Sequence, residues 1–187
     1  MPTLPLAPIG PLPRVPPPPP SPEGLGHPFA RRLDTPTDFS GIYVVVREAV
    51  RRVLHRERPG LGLALSNLPP QLGAYWQVTG NLIVLNEGLV QAMREQSSST
   101  QEFNSFVFVI LAHEYLHALG YLEEDAVRPV TARVARECFG ADHPATRMAE
   151  GDLWRMYPGL RFAPPGDGSR LRIVSRFDLG STATYIR

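Results

Sequence analysis

STQEFNSFVFVILAHEYLHALG, residues 99–120, is the stretch that decides the fold of this chain. Ser99 can accept a hydrogen bond from the backbone amide of Glu102, and Glu102 can reach back to Ser99, which is the capping box that opens many helices. Gly120 suits the left-handed residue just past a helix end. The sequence therefore predicts a mostly buried helix of about twenty residues.

Two histidines, His113 and His117, fall in the last turns of this helix. Residues four apart lie on the same face, so both imidazoles can bind one divalent cation. Glu114 lies close to that face and can reach a metal-bound water. The alternative is a buried helix with satisfied histidines, but burying these groups without a partner is costly, and a metal removes most of that cost.

The run HEYLHALG, residues 113–120, resembles the HExxH signature of the zincin metallopeptidases. With its glycine it is similar to the HExxHxxGxxH/D form of the metzincin-like branch, whose third ligand follows six residues after the second histidine. Glu123 holds that position here, where His or Asp is usual. The resemblance implies a zinc (Zn2+) site of His113, His117 and Glu123, with Glu114 as the catalytic base.

The choice of a third ligand stays open on the residues alone, because a catalytic zinc needs three protein ligands and one open position. Asp125 is predicted to cap the next helix, which leaves Glu123 on a short connection near His117 and makes it the first choice. Glu124, Glu137 and His143 are the other candidates.

The N-terminal half alternates helical and strand patterns. Helical spacing of apolar residues predicts a helix over 38–58. Short apolar runs predict strands at 61–65, 75–78 and 82–85. The last of these leads into a short helix over 87–95, which Asn86 caps.

The zincin resemblance covers residues 61–125. It implies that the strand nearest the metal binds an extended substrate through main-chain hydrogen bonds. The hairpin over 75–85 is the candidate for that edge.

The C-terminal part predicts helices over 126–139 and 143–157 and a final strand over 170–177. The expected fold class is therefore α+β and zincin-like. It has a small antiparallel or mixed sheet, the HExxH helix at its centre, and C-terminal helices.

Composition sets the domain limits. Residues 1–36 are rich in proline, with an unbroken run at 16–20, and we expect a disordered leader that serves as a spacer or docks on a protein partner. The expected zincin-like metalloprotease domain is 37–187.

Charge and cysteine content narrow the function classes. The formal net charge of +1 argues against a nucleic-acid binder. The single cysteine, Cys138, favours a reducing cytoplasm, and the absence of a secretory pattern agrees with this. No apolar run reaches the length of a membrane span.

The sequence therefore favours a zinc metallopeptidase acting on peptides or proteins. One alternative is a metal-dependent endoribonuclease, whose pattern HxxxHxxGYxxH this segment partly resembles, but that pattern has glycine where this chain has Glu114. Another is a regulatory or partner-binding protein without peptidase activity. The substrate and the oligomeric state carry no signal.

Overall fold

The computed structural model describes residues 29–35, 37–78 and 80–175, which form an α+β fold. The helices are α1 (Phe39–Leu54), α2 (Glu87–Gln96), α3 (Thr100–Ala118), α4 (Glu124–Phe139), α5 (Pro144–Glu150) and α6 (Leu153–Met156), and a 3-10 turn follows at Pro158–Phe162. The strands are β1 (Gly62–Ser66), β2 (Ala74–Trp76), β3 (Leu82–Asn86) and β4 (Leu171–Ser175). The predicted strands are confirmed within two residues at each end that the structure describes.

The four strands form one open, mixed sheet in the order β2-β3-β1-β4. β1 pairs in parallel with β3 and antiparallel with β4, and every residue of β1 is buried. β2 pairs antiparallel with β3, which confirms the predicted hairpin. The result is that β2 lies at one edge of the sheet, where it contacts α3.

Helix α3 lies at the centre of the fold, as expected. It packs against α1, α4, α5 and β2, so that apolar side chains are buried on all its sides. A helix that is apolar all round is stable only when neighbours cover it in this way. Among the described residues, no helix combines the length and apolar character needed to cross a membrane.

The ends of α3 are fixed by the residues that the sequence singled out. Ser99 Oγ accepts a hydrogen bond from the Glu102 amide at 3.1 Å, and Gly120 has a φ of +99°. The second half of the capping box differs from the prediction. The Glu102 carboxylate reaches Ser98, accepting from its N–H at 2.7 Å and its hydroxyl at 2.6 Å, instead of Ser99.

Three helix predictions also differ from the structure. Helix α1 ends at Leu54, four residues before the expected end, because the chain leaves the helix at His55, whose φ is +53°. Helix α4 begins at Glu124 with Glu123 as its extended N-cap residue, two residues before the expected start. The predicted helix over 143–157 is broken at Gly151, and Asp152 caps α6 by accepting from the Trp154 amide at 2.9 Å.

Residues 29–35, which the sequence assigned to the leader, pack on the domain. Phe29 and Leu33 are buried, and the Asn104 side chain of α3 donates to the carbonyl oxygens of Leu33 at 3.0 Å and Thr35 at 2.8 Å. The packed part therefore begins before residue 37. Residues 1–28 of the predicted leader lie outside the described residues.

Candidate metal centre

Two histidines of α3 and one glutamate of α4 bring three donor atoms together. His117 Nε2 lies 3.1 Å from His113 Nε2 and 3.2 Å from Glu124 Oε1, and His113 Nε2 lies 3.4 Å from the same Glu124 oxygen. Ligands about 2.1 Å from a tetrahedral zinc lie about 3.4 Å from each other. This group can therefore hold a metal ion with little rearrangement.

A hydrogen bond at Nδ1 of His117 leaves its Nε2 available to a metal ion. His117 Nδ1 lies 2.7 Å from the carbonyl oxygen of Tyr121, so Nδ1–H donates to that oxygen. The proton on Nδ1 leaves a lone pair on Nε2, and a second partner of this kind is typical of metal-binding histidines.

His113 is suited to the neutral form that a metal ligand needs. Burial lowers its pKa below the ordinary histidine value, and His117 also lowers it, while the Glu124 carboxylate acts in the opposite direction. The side chains of His113 and His117 are only 23% and 16% exposed, so water competes weakly for their nitrogens.

Glu124, and not Glu123, is the carboxylate that meets the two histidines. Burial raises the pKa of Glu124, but His113 and His117 outweigh that effect and leave the carboxyl below its usual value. Glu123 is exposed and begins α4 through its main chain, its carbonyl oxygen accepting from the Ala126 amide at 2.9 Å. Of these two neighbouring carboxylates, the structure thus brings Glu124, and not the expected Glu123, to the two histidines.

The turn after α3 explains this placement. Gly120 donates its N–H to His117 O at 2.9 Å, and Tyr121 donates to Leu116 O at 3.2 Å, so the chain folds back over the end of α3. Only glycine adopts the positive φ at residue 120 without strain. Helix α4 then starts beside the histidines, and its first residue, Glu124, faces them.

The other two candidates for the third ligand are held elsewhere. His143 is the N-cap of α5, where its Nδ1 accepts from the Ala145 amide at 3.1 Å and its ring stacks on Phe139 at 4.8 Å. Glu137 accepts from Arg133 Nε at 2.6 Å on α4. Neither belongs to the group around His113 and His117.

Glu114 is half-buried beside this group. Its Oε2 accepts a hydrogen bond of 2.9 Å from the main-chain N–H of Trp76 in β2, and within the described part of the chain its Oε1 accepts none. Burial raises the pKa of Glu114 above its usual range, although His117 and the Trp76 N–H act against this. A raised pKa makes the carboxylate a stronger base than an exposed glutamate.

A cavity of about 290 Å³ opens onto His113, Glu114 and Glu124. Three apolar residues of α3, Phe106, Val109 and Ile110, form one wall. The remaining walls come from the segment that leads into β2, from α2 and from the helices α4 to α6; they include Leu72, Ala74, Leu89, Thr131, Met148 and Trp154. His113, Glu114 and Glu124 therefore border one open space, which polar and apolar side chains line together.

Several groups at this site carry no signal in the sequence. The Trp76 N–H and the Tyr121 carbonyl oxygen belong to the main chain, so residue type does not reveal them. Arg58 also contributes, with its guanidinium carbon 4.9 Å from the centre of the Trp76 ring. Its role depends on contacts far apart in sequence, which no local pattern predicts.

Comparisons of this chain with protein-family models, with curated proteins and with solved structures find no match.

Proposed function

We propose that this protein is a zinc-dependent metallopeptidase that hydrolyses peptide bonds, with a zincin-like arrangement of its site. One observation carries the proposal: three donor atoms converge within 3.4 Å of each other, and Glu114 opens onto the same cavity. Two imidazoles and a carboxylate are a donor set that zinc favours at catalytic sites.

His113, His117 and Glu124 would hold the ion through Nε2, Nε2 and a carboxylate oxygen. A zinc ion held there would lower the pKa of a water to about 7 and polarise a substrate carbonyl. Glu114 would take the proton of the attacking water on Oε1, to which no described residue donates, as the water oxygen adds to the peptide carbonyl carbon. The proton would then pass to the nitrogen that leaves as the C–N bond breaks. The buried position of Glu114 supports this role, since it makes the carboxylate more basic.

The edge strand β2 supports a peptide as the substrate. Among the described strands β3 is its one neighbour in the sheet, and its outer side lies beside α3 and Glu114. Main-chain groups of an edge strand bind extended peptides by adding a strand, and the groups of β2 other than the Trp76 N–H, which donates to Glu114, would serve in this way. The cavity next to β2 leaves space for a substrate side chain.

The proposal is tested by replacing Glu114 and His113. We expect Glu114→Gln to retain zinc but to lose hydrolysis, because the amide cannot accept the proton. We expect His113→Ala to lose both. Zinc content is measured by elemental analysis, and hydrolysis by counting new amino termini in a mixture of random-sequence peptides.

Glu95→Gln is the matched control, since Glu95 is an exposed glutamate on α2 that accepts a hydrogen bond from Gln91 and lies outside the candidate site. Full hydrolysis by the Glu114→Gln protein would contradict the mechanism. Zinc binding without hydrolysis of any peptide by the wild-type protein would favour a binding module. Cleavage of structured RNA in place of peptides would favour the endoribonuclease alternative.

A further inference from the structure

Glu114 of α3 makes a hydrogen bond with the main chain of the edge strand β2. Successive amides of a strand point alternately to its neighbour and to its open side. The Trp76 amide points to the open side, and there it donates to Glu114 Oε2 at 2.9 Å. This bond holds one carboxylate oxygen in place and leaves Oε1 towards the cavity.

Arg58 connects this strand to the end of α3. Its Nη1 donates to Ala118 O at 2.6 Å, and its Nη2 donates to Gly80 O, in the turn between β2 and β3, at 3.0 Å. Trp76 Nε1 donates to the same Gly80 oxygen at 3.0 Å. The guanidinium also stacks on the Trp76 ring, and the Arg58 amide donates to Tyr115 Oη at 2.9 Å.

These bonds form a closed circuit, that is, a continuous series of contacts that begins and ends on α3 and includes Glu114. Arg58 donates to Ala118, the last residue of α3, and to Gly80 in the hairpin turn. Gly80 and the Arg58 guanidinium both contact the Trp76 side chain. The Trp76 N–H donates to Glu114, which itself belongs to α3. A lysine cannot reproduce the circuit, because it lacks the planar fork that reaches two carbonyl oxygens and stacks on a ring.

We propose that Trp76, through its main-chain N–H, and Arg58, through Trp76, are positioning residues that orient the Glu114 carboxylate for proton transfer. This inference rests on the proposed function. It assigns a catalytic purpose to two residues that no zinc motif includes.

The first test compares Trp76→Pro with Trp76→Ala. Both remove the indole ring, but only proline removes the N–H, and proline is tolerated at an edge strand where the amide does not pair with the neighbour. We expect kcat at least about tenfold lower for the proline variant than for the alanine variant, because small displacements of a catalytic group are costly. We expect the same zinc content and a similar KM for both.

The second test needs no activity. In the 1H–15N spectrum of the zinc-free protein, the Trp76 amide proton should lie downfield, as expected for a donor to a carboxylate. It should move upfield in Glu114→Gln and in Arg58→Ala, and only partly in Arg58→Lys. Arg136→Lys is the control, since Arg136 pairs with Glu150.

Equal kcat for the two Trp76 variants, or a Trp76 amide signal that ignores both Glu114→Gln and Arg58→Ala, would overturn the inference. If Trp76→Pro does not fold, Arg58→Ala decides the kinetic question, with lowered kcat, unchanged KM and zinc content, and partial rescue by lysine as the expected result. Absence of hydrolysis in the wild-type protein would end the proposed function and with it the catalytic purpose assigned to the two residues.

Discussion

Glu123 and Glu124 are neighbours in sequence with different surroundings. Both side chains are exposed, but only that of Glu124 belongs to the group around the two histidines. We expect Glu124→Gln to weaken zinc binding by at least about 100-fold, since even partners that only orient a ligand are worth about 10–100-fold. We expect Glu123→Gln to bind zinc as the wild type does, as measured by competition with a zinc chelator.

Two other outcomes of this comparison would contradict the assignment of Glu124 as a ligand. Loss of zinc in the Glu123 variant alone would return the third position to the residue that the sequence favoured. Unchanged affinity in both variants would show that neither carboxylate is a ligand.

The sequence places His113, His117 and Glu114 together on one helix, but it does not predict that Glu124 meets the two histidines, and the reason is physical. His113 and His117 lie on one helix, where a spacing of four fixes their common face. Glu124 depends on where the next helix begins, and Asp125 is the better N-cap by residue type. The helix begins earlier because the chain turns back at Gly120, and Glu123 becomes the N-cap without a side-chain hydrogen bond.

Helix α3 depends on the cluster at its N-terminus. Glu102 accepts from Ser98 and from Tyr157 Oη at 2.7 Å. Partial burial raises the pKa of Glu102, but these hydrogen bonds outweigh it and leave the pKa below its usual value. A carboxyl whose pKa is lower in the folded state stabilises the protein above its unfolded pKa, about 4.3, and loses that contribution as pH falls through the folded pKa.

We therefore expect Glu102→Gln to lower the Tm at pH 7, because the amide loses the charged hydrogen bonds and the favourable interaction with the helix N-terminus. The difference in Tm between wild type and variant should shrink as pH falls below about 4.3 and through the lowered pKa of Glu102. Thermal unfolding followed by circular dichroism measures it, with Glu95→Gln as control. A difference that stays constant from pH 7 to pH 3 would refute this account.

Element positions follow from the sequence better than their arrangement does. The predicted strands appear because each is a short apolar run between turn residues. The parallel pairing of β1 with β3 has no local signal, since it joins strands separated by β2 along the chain. The break between α5 and α6 was missed because Gly151 and Asp152 were included in a continuous helix, although glycine followed by aspartate is a common end and new start.

Two groups of elements line the cavity. The first group is α3, α2 and the segment leading into β2, and the second is α4 to α6. Its α3 wall is apolar and includes Ile110. We expect peptides with a large apolar side chain next to the cleaved bond to be preferred. Ile110→Trp, which fills part of the space, should reduce that preference by at least about tenfold.

The measurement is the ratio of kcat/KM for two peptides that differ only in phenylalanine or alanine beside the cleaved bond. Tm is followed in parallel, because overpacking a core position costs about 1–3 kcal/mol. An unchanged ratio in a folded Ile110→Trp protein would show that the substrate does not use this space.

The three donors of the metal group lie close together along the chain, between residues 113 and 124. An ion that joins them closes only a short loop, and such a crosslink restricts an unfolded chain far less than one that joins distant segments. The fold should therefore not depend on a bound ion, and we expect the metal-free protein to remain folded in the presence of a chelator. We therefore expect a metal ion to bind and to be removed reversibly, without unfolding and refolding of the protein.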